Sequence, residues 1–205
     1  MSLAEAMKSY RLKSGRLPDL WRTICPPHLL IACLCLLPVA LRGQENRPTE
    51  TQVEAAYLFN FGKFVRWPAN SASNSEYLVI CVLGNNMLGM VLEGTVKGET
   101  IDNRTVVAKA LPNLQATANC NVMFVNASEE AHLDAILSAV RHQGILTVSD
   151  IPHFTDRGGM IEFVHQQDRI RFKVNLLPMA DVGISVSSEL LKVATKVIGQ
   201  SGGAK

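Results

Sequence analysis

Tyr77–Leu83 reads YLVICVL, seven residues without a charge or a break in the apolar run. A strand with one wet face alternates apolar and polar side chains. A continuous run of this length instead fits a strand covered on both faces, as in a parallel sheet flanked by helices. Gly84, Asn85 and Asn86 then turn the chain, and residues 87–92 read as a short helix closed by Gly94. The strand pattern returns at residues 104–109 (RTVVAK), 121–125 (NVMFV) and 145–148 (ILTV). Between the last two, Ser128 stands as a helix cap, with Glu129 and Glu130 in the first turn where negative charge suits the helix dipole. Leu133, Ile136, Leu137 and Val140 follow at i, i+3, i+4, i+7 as a buried stripe, and Gly144 ends the helix.

Upstream, Thr49 caps a first helix and Gln52 stands at the matching position of a capping box. Val53, Tyr57, Phe61 and Phe64 recur at helical spacing, and Trp67-Pro68 ends the helix. A polar loop follows at residues 70–75. Downstream, residues 160–165 and 169–174 flank Gln166, Gln167 and Asp168 as an antiparallel hairpin. In its second arm Ile170, Phe172 and Val174 share one face, and Arg169, Arg171 and Lys173 the other. A last helix is expected near residues 187–198, with Leu190, Ala194, Val197 and Ile198 on one side. Alternating strands and helices followed by a hairpin predict an α/β protein. It is a single three-layer domain with a mixed, mostly parallel sheet, a C-terminal antiparallel hairpin and helices on both faces.

The first residues read differently. Lys8, Arg11, Lys13, Arg16 and Arg22 precede the apolar run LLIACLCLLPVAL at residues 29–41. Basic residues, a short apolar run and a small residue make a secretory pattern, with Gly43 as the residue before the cut and Met7 as an alternative start. Two rival readings stand beside it: an uncleaved anchor, and lipid attachment at Cys33 after Leu30-Ile31-Ala32. The expected organisation is a signal peptide (1–43), a short lead-in (44–52), the α/β domain (53–198) and a flexible tail (199–205). The signal peptide takes six basic and two acidic residues from totals of 20 and 18, leaving 14 and 16, a net of −2. A mildly acidic body has no electrostatic reason to bind nucleic acid. After removal of the leader nothing in it is expected to span a membrane.

Cys25, Cys33 and Cys35 lie in or beside the leader, so the body keeps Cys81 and Cys120. An exported pair tends to join. Buried free thiols are the competing reading, because a late position on one strand and an early one on its neighbour lie far apart unless the chain bends before Asn121. His132, His142, His153 and His165 lack the paired spacing of a zinc site, so neither metal nor cofactor is implied. There is no G-x-S-x-G, the GNNMLG turn lacks the Lys-Ser/Thr of a P-loop, and Asp102, Asp150, Asp156 and Glu162 show no acid/base spacing. No catalytic residue is expected.

Taken in order, AAYLFNFGKFVRWP (55–68), Cys81-Val82-Leu83-Gly84, CNVMFV (120–125), LTVSD (146–150), GGMIEF (158–163), RFKVN (171–175) and SSELLKVA (187–194) resemble the YfiR family over about residues 53–198. The resemblance implies a periplasmic regulator that represses a membrane-bound diguanylate cyclase by binding its periplasmic sensory portion. Some members carry a second cysteine pair around the Gly-Gly hairpin, but residues 155–165 here contain none.

The candidate partner- or ligand-binding residues are Phe61, Arg66, Trp67, Arg169, Arg171, Lys173 and Asn175, around a groove between the first helix and the hairpin. Each has a plainer reading: the aromatics as a wide core stripe, and the basic stripe as the wet face of an edge strand. The expected role is non-catalytic repression of an inner-membrane signalling protein, with a homodimer as a further possibility. The alternative is a periplasmic small-ligand sensor serving a histidine kinase or transporter.

Overall fold

The computed structural model describes residues 47–68 and 75–199. The expected leader with Cys25, Cys33 and Cys35, the start of the lead-in, residues 70–74 of the polar loop and residues 200–205 of the tail lie outside the described residues.

Helix α1 (Glu50–Phe64) opens with both halves of the capping box. Thr49 Oγ1 accepts from Gln52 N at 3.3 Å, and Thr49 N donates to Gln52 Oε1 at 2.8 Å. The helix stops before Trp67 because β1 (Val65–Arg66) pairs antiparallel with β9 (Ser185–Val186). Its inward face is Ala55, Leu58, Phe59, Phe61 and Gly62. This face is rotated from the expected stripe, and Phe64 is 37% exposed. Gly62 sets the close approach, since a Cβ there would come within 2.9 Å of Ile101.

The strands β2 (Tyr77–Leu83), β3 (Thr100–Ile101), β4 (Arg104–Leu111), β5 (Val122–Val125), β6 (Leu146–Ser149), β7 (Ile161–Gln166), β8 (Arg169–Asn175) and β10 (Lys196–Ile198) form one sheet among the described residues. Its spatial order is β10-β8-β7-β6-β5-β2-β4-β3. The pairs β2–β4, β2–β5, β5–β6, β6–β7 and β8–β10 are parallel; β3–β4 and β7–β8 are antiparallel. The mixed, mostly parallel sheet is as expected. Leu78, Ile80 and Val82 pack on one side with α1, α2 (Met87–Val96) and α5 (Ser188–Val193). Val79, Cys81 and Leu83 pack on the other with α3 (Leu133–Val140) and Phe154.

Four local expectations are corrected. Helix α2 runs through Gly94 to Val96, because Leu92 and Val96 continue its buried stripe; the left-handed turn comes at Gly98, φ +78°. Asn126, not Ser128, caps the segment before α3: its Oδ1 accepts from Ser128 N at 3.0 Å and opens a 3-10 turn at Ala127–His132. Ser128 Oγ instead accepts from Asn85 N at 3.1 Å. The last helix ends at Val193, so Ala194, Val197 and Ile198 lie beyond it. Thr195 N and Oγ1 both donate to Phe172 O, at 2.9 and 3.0 Å, and the β-branched residues that follow form β10 beside β8. The hairpin turn is two residues long, with Gln167 and Asp168 at φ 50° and 56° and Gln166 paired to Arg169, as a type I′ turn requires. Between the hairpin and α5 lies α4 (Leu176–Asp181), capped by Asn175 Oδ1 accepting from Leu177 N.

Cys81 and Cys120 are joined, with Cα atoms 5.8 Å apart. The register pairs Ile80 with Val122, so a straight β5 would carry Cys120 back towards Leu78. The chain instead bends at Cys120 out of a 3-10 turn at Leu114–Asn119. Asn121 then clamps Val79, donating N–H to Val79 O at 2.9 Å and accepting Val79 N–H on Oδ1 at 2.8 Å. The bridge closes a separation of 39 residues, which in the chain-entropy description stabilises the fold by about 4 kcal/mol. Cys81→Ala/Cys120→Ala should therefore unfold at distinctly lower urea, and reductant should shift the wild type but not the variant.

Candidate functional site

A groove of about 540 Å³ lies at the N-terminal half of α1 and the tip of the β7–β8 hairpin; of the seven expected residues only Arg169 and Arg171 line it. Val53, Tyr57 and Ile170 form its floor, and Arg47, Arg169 and Arg171 stand on its rim with Glu50 and Asp168. Val53 and Tyr57 are one helical turn apart, so both face the hairpin. The Tyr57 ring meets Phe172 edge-on at 5.5 Å, and its hydroxyl donates to Ile170 O at 3.5 Å. Strand alternation puts Ile170 into the core while Arg169 and Arg171 turn away from it. Among the described residues Arg47, Arg169 and Arg171 have no ion-pair partner.

The other sequence candidates fall elsewhere. Phe61 is fully buried, 5.9 Å from Phe163 and 5.2 Å from Phe172 by ring centroid, which makes it part of the core. Arg66 and Trp67 sit beyond the far end of α1. Arg66 faces Asp102 at 3.6 Å, and the half-buried Trp67 lies beneath the Arg104 guanidinium at 5.8 Å.

Lys173 and Asn175 belong to an internal polar network around Glu162, which is 2% exposed. Glu162 Oε1 accepts from Lys173 Nζ at 2.8 Å and from His153 N at 3.3 Å. Its Oε2 accepts from Thr155 N at 3.1 Å and Thr155 Oγ1 at 2.7 Å. Asn175 Nδ2 donates to Thr155 O at 2.9 Å. Burial opposes the Glu162 charge, but the Lys173 bond and the two Thr155 bonds outweigh it and hold the carboxyl below its ordinary range. With its oxygens engaged in this way the carboxylate organises the loop after β6.

A second set of carboxyls had no sequence signal. Burial first, then the charges of Asp150 and Glu50, push Glu54 up to about 7. Burial also raises Asp150, partly offset by its own N–H and that of Ala127 and by His165. Asp150 Oδ1 is buried without a hydrogen-bond partner among the described residues. His165 Nδ1 lies 3.5 Å from Glu50. Among the described residues no group of three or more His, Cys, Asp or Glu side chains could hold a metal ion, and no helix is long and apolar enough to cross a membrane.

The residues missed by sequence reasoning are Arg47, Val53 and Tyr57 of the groove and Glu162 of the network. For Glu162 a signal existed: a lone carboxylate in the apolar run MIEF needs a partner once buried.

The groove is open and partly basic, and the frame that carries it is a three-layer α/β domain. The chain belongs to the YfiR/HmsC-like family, whose model matches residues 51–195. That family consists of regulatory rather than catalytic proteins of the periplasm, acting in cyclic di-GMP signalling. Among solved structures, the chain is similar to a conserved domain protein from Vibrio cholerae, at 10% identity over 73% of this chain and 60% of that one, with a TM-score of 0.51. It also matches the ABC domain in complex with L-Trp from Streptococcus pneumonia, at 13% identity over 59% and 55% of the two chains, with a TM-score of 0.46. The chain thus spans a little over half the length of each, and the first likeness speaks for the fold alone.

Two stability predictions follow from the carboxyls. Lys173→Met strands the buried Glu162 charge and should cost about 3 kcal/mol, whereas Glu162→Gln/Lys173→Met, which removes the charge and keeps an amide oxygen for the His153 and Thr155 donors, should cost less than the single change, as urea titrations would read. Glu54 binds its proton more tightly folded than unfolded. Its contribution is therefore fully present below the ordinary value of 4.5 and is lost as pH rises through about 7. Glu54→Gln should flatten that slope and leave the variant more stable than wild type at about pH 8, by on the order of 1–2 kcal/mol after allowance for solvent screening.

Proposed function

We propose that the chain is exported, that residues 1–43 are removed as a signal peptide, and that the remaining α/β domain is a non-catalytic repressor. It docks on the periplasmic sensory portion of an inner-membrane signalling protein, a diguanylate cyclase above all, and holds it inactive. Family membership across residues 51–195 carries this reading. Two features support it: the Cys81–Cys120 bridge suits an oxidising compartment, and the groove offers three arginines that no carboxylate of the described chain occupies.

The mechanism is a shift of populations. The domain binds the inactive form of its partner better than the active form, and only that difference in affinity silences output. Moving the partner from almost wholly active to almost wholly inactive takes about 10⁴-fold preference. Arg169 and Arg171 serve as partner-facing residues in this reading, and Phe61 does not.

A second reading, a small-ligand sensor, draws on a crevice at the carboxyl ends of β2 and β4. Leu83, Gly84, Leu111, Asn113 and Ser128 line it, where the chain crosses from β4 on one side of β2 to β5 on the other. Open α/β sheets bind ligands at such switch points. A thermal-shift screen separates the two, since a solute that binds only the folded chain raises its stability.

Deleting the gene should raise cellular cyclic di-GMP, re-expression should lower it, and the tagged chain should retain a cyclase from detergent-solubilised membranes. Unchanged cyclic di-GMP on deletion would defeat the proposal.

A further inference from the structure

We infer that the uncovered stretch of β8, Arg169 to Arg171, receives an extended acidic segment of the partner protein as an added strand. This rests on the docking role proposed above and names the chemistry of the segment that docks.

The main chain supplies the first argument. A two-residue turn closes on Gln166 and Arg169, and in an antiparallel ladder the hydrogen-bonded pairs alternate along the strands. Gln166–Arg169 and Val164–Arg171 therefore bond inward, and Ile170 and Phe172 turn their N–H and C=O groups outward. The observed bonds agree. Phe172 O accepts from Thr195 N and Oγ1, and Ile170 O meets only the Tyr57 hydroxyl, at 3.5 Å. Strand β10 starts at Lys196, opposite Lys173, so among the described residues no strand flanks β8 from Arg169 to Arg171. The outward row is half filled by the chain itself and continues into the groove, where among the described residues the Ile170 carbonyl meets the Tyr57 hydroxyl and no strand.

Side chains supply the second argument. Residues of an added strand alternate between two faces. On one face they would meet the floor of Val53, Tyr57 and Ile170, which is apolar. On the other they would pass Arg169 and Arg171, with Arg47 at the end of the groove. The three arginines have no carboxylate partner among the described residues, while of the two acidic rim residues Glu50 already lies against His165 at 3.5 Å. The complementary segment alternates apolar and acidic residues. Added strands of this kind take affinity from main-chain bonds and specificity from alternate side chains.

A fluorescein-labelled peptide of about eight residues, a usual strand length, alternating valine and glutamate serves as the probe against the mature chain. Fluorescence anisotropy should show binding that weakens with added salt. Arg169→Glu/Arg171→Glu should weaken it about tenfold or more, with Lys97→Glu on the remote end of α2 as the unchanged control. Of two peptides N-methylated at the odd or at the even residues, the one whose methyl groups face β8 should lose binding and the other keep it, changes that leave the protein untouched. No binding by the wild type, binding that survives charge reversal, or binding that survives both N-methylations would each overturn the inference. So would a wild-type dimer, seen by sedimentation, that occupies this edge and excludes the peptide. In cells the two proposals separate. Repression that persists in Arg169→Glu/Arg171→Glu sinks the added strand and leaves the repressor intact, whereas a wild type that does not repress sinks the repressor, and the peptide assay still decides the edge.

Discussion

The structure depends on the enclosure of β2. A central strand must satisfy its backbone through neighbours on both edges and bury side chains on both faces, and Leu78 to Leu83 meet all four demands at once. Pairing with β4 on one edge and β5 on the other fixes the register of the parallel core. Its alternation then assigns α1, α2 and α5 to one side and α3 with the disulfide to the other. A slip of one residue would exchange the two sets, so the layers and the strand specify one another.

A subordinate constraint acts at the other end of the sheet. Strands β6 and β7 are parallel neighbours joined without a regular helix between them. Main-chain groups in such a crossover lack a ladder, and Glu162 provides a substitute by collecting two amides and a hydroxyl from the loop. Phe154 supplies the apolar weight beneath it. Lys173 neutralises the carboxylate from β8, so the hairpin and the crossover are held as one body. That rigidity keeps the rim of the groove in place, because Arg169 and Arg171 stand on the same strand as Lys173.

Much of this was legible in local pattern. The capping box, the run at 77–83 and the alternation of Ile170, Phe172 and Val174 are short-range signals, and each appears in the fold as read. Residues 187–198 read as one helix because SSELLKVATKVI has helical spacing throughout, whereas the distant carbonyl of Phe172 draws Thr195 out of the helix and β10 follows. Ser128 reads as a cap, but its hydroxyl is taken by Asn85, 43 residues earlier in the chain. The site divides in the same way. Arg169 and Arg171 follow from alternation alone, but Tyr57 and Arg47 join them only through packing between segments more than 100 residues apart. Phe61 reads as a binding candidate because helical periodicity cannot tell the centre of an aromatic cluster from its margin.

The covalent bridge and the floor of the groove lie on opposite sides of the sheet, for Cys81 and Cys120 pack with α3, whereas Val53 and Tyr57 belong to α1 and Ile170 packs against it. The rim arginines turn to the bridge's side, but β7, β6 and β5 stand between β8 and β2. The sheet therefore works as a bulkhead for the floor and as a spacer for the rim. In the docking role proposed above, substitutions that retune the rim leave the staple undisturbed.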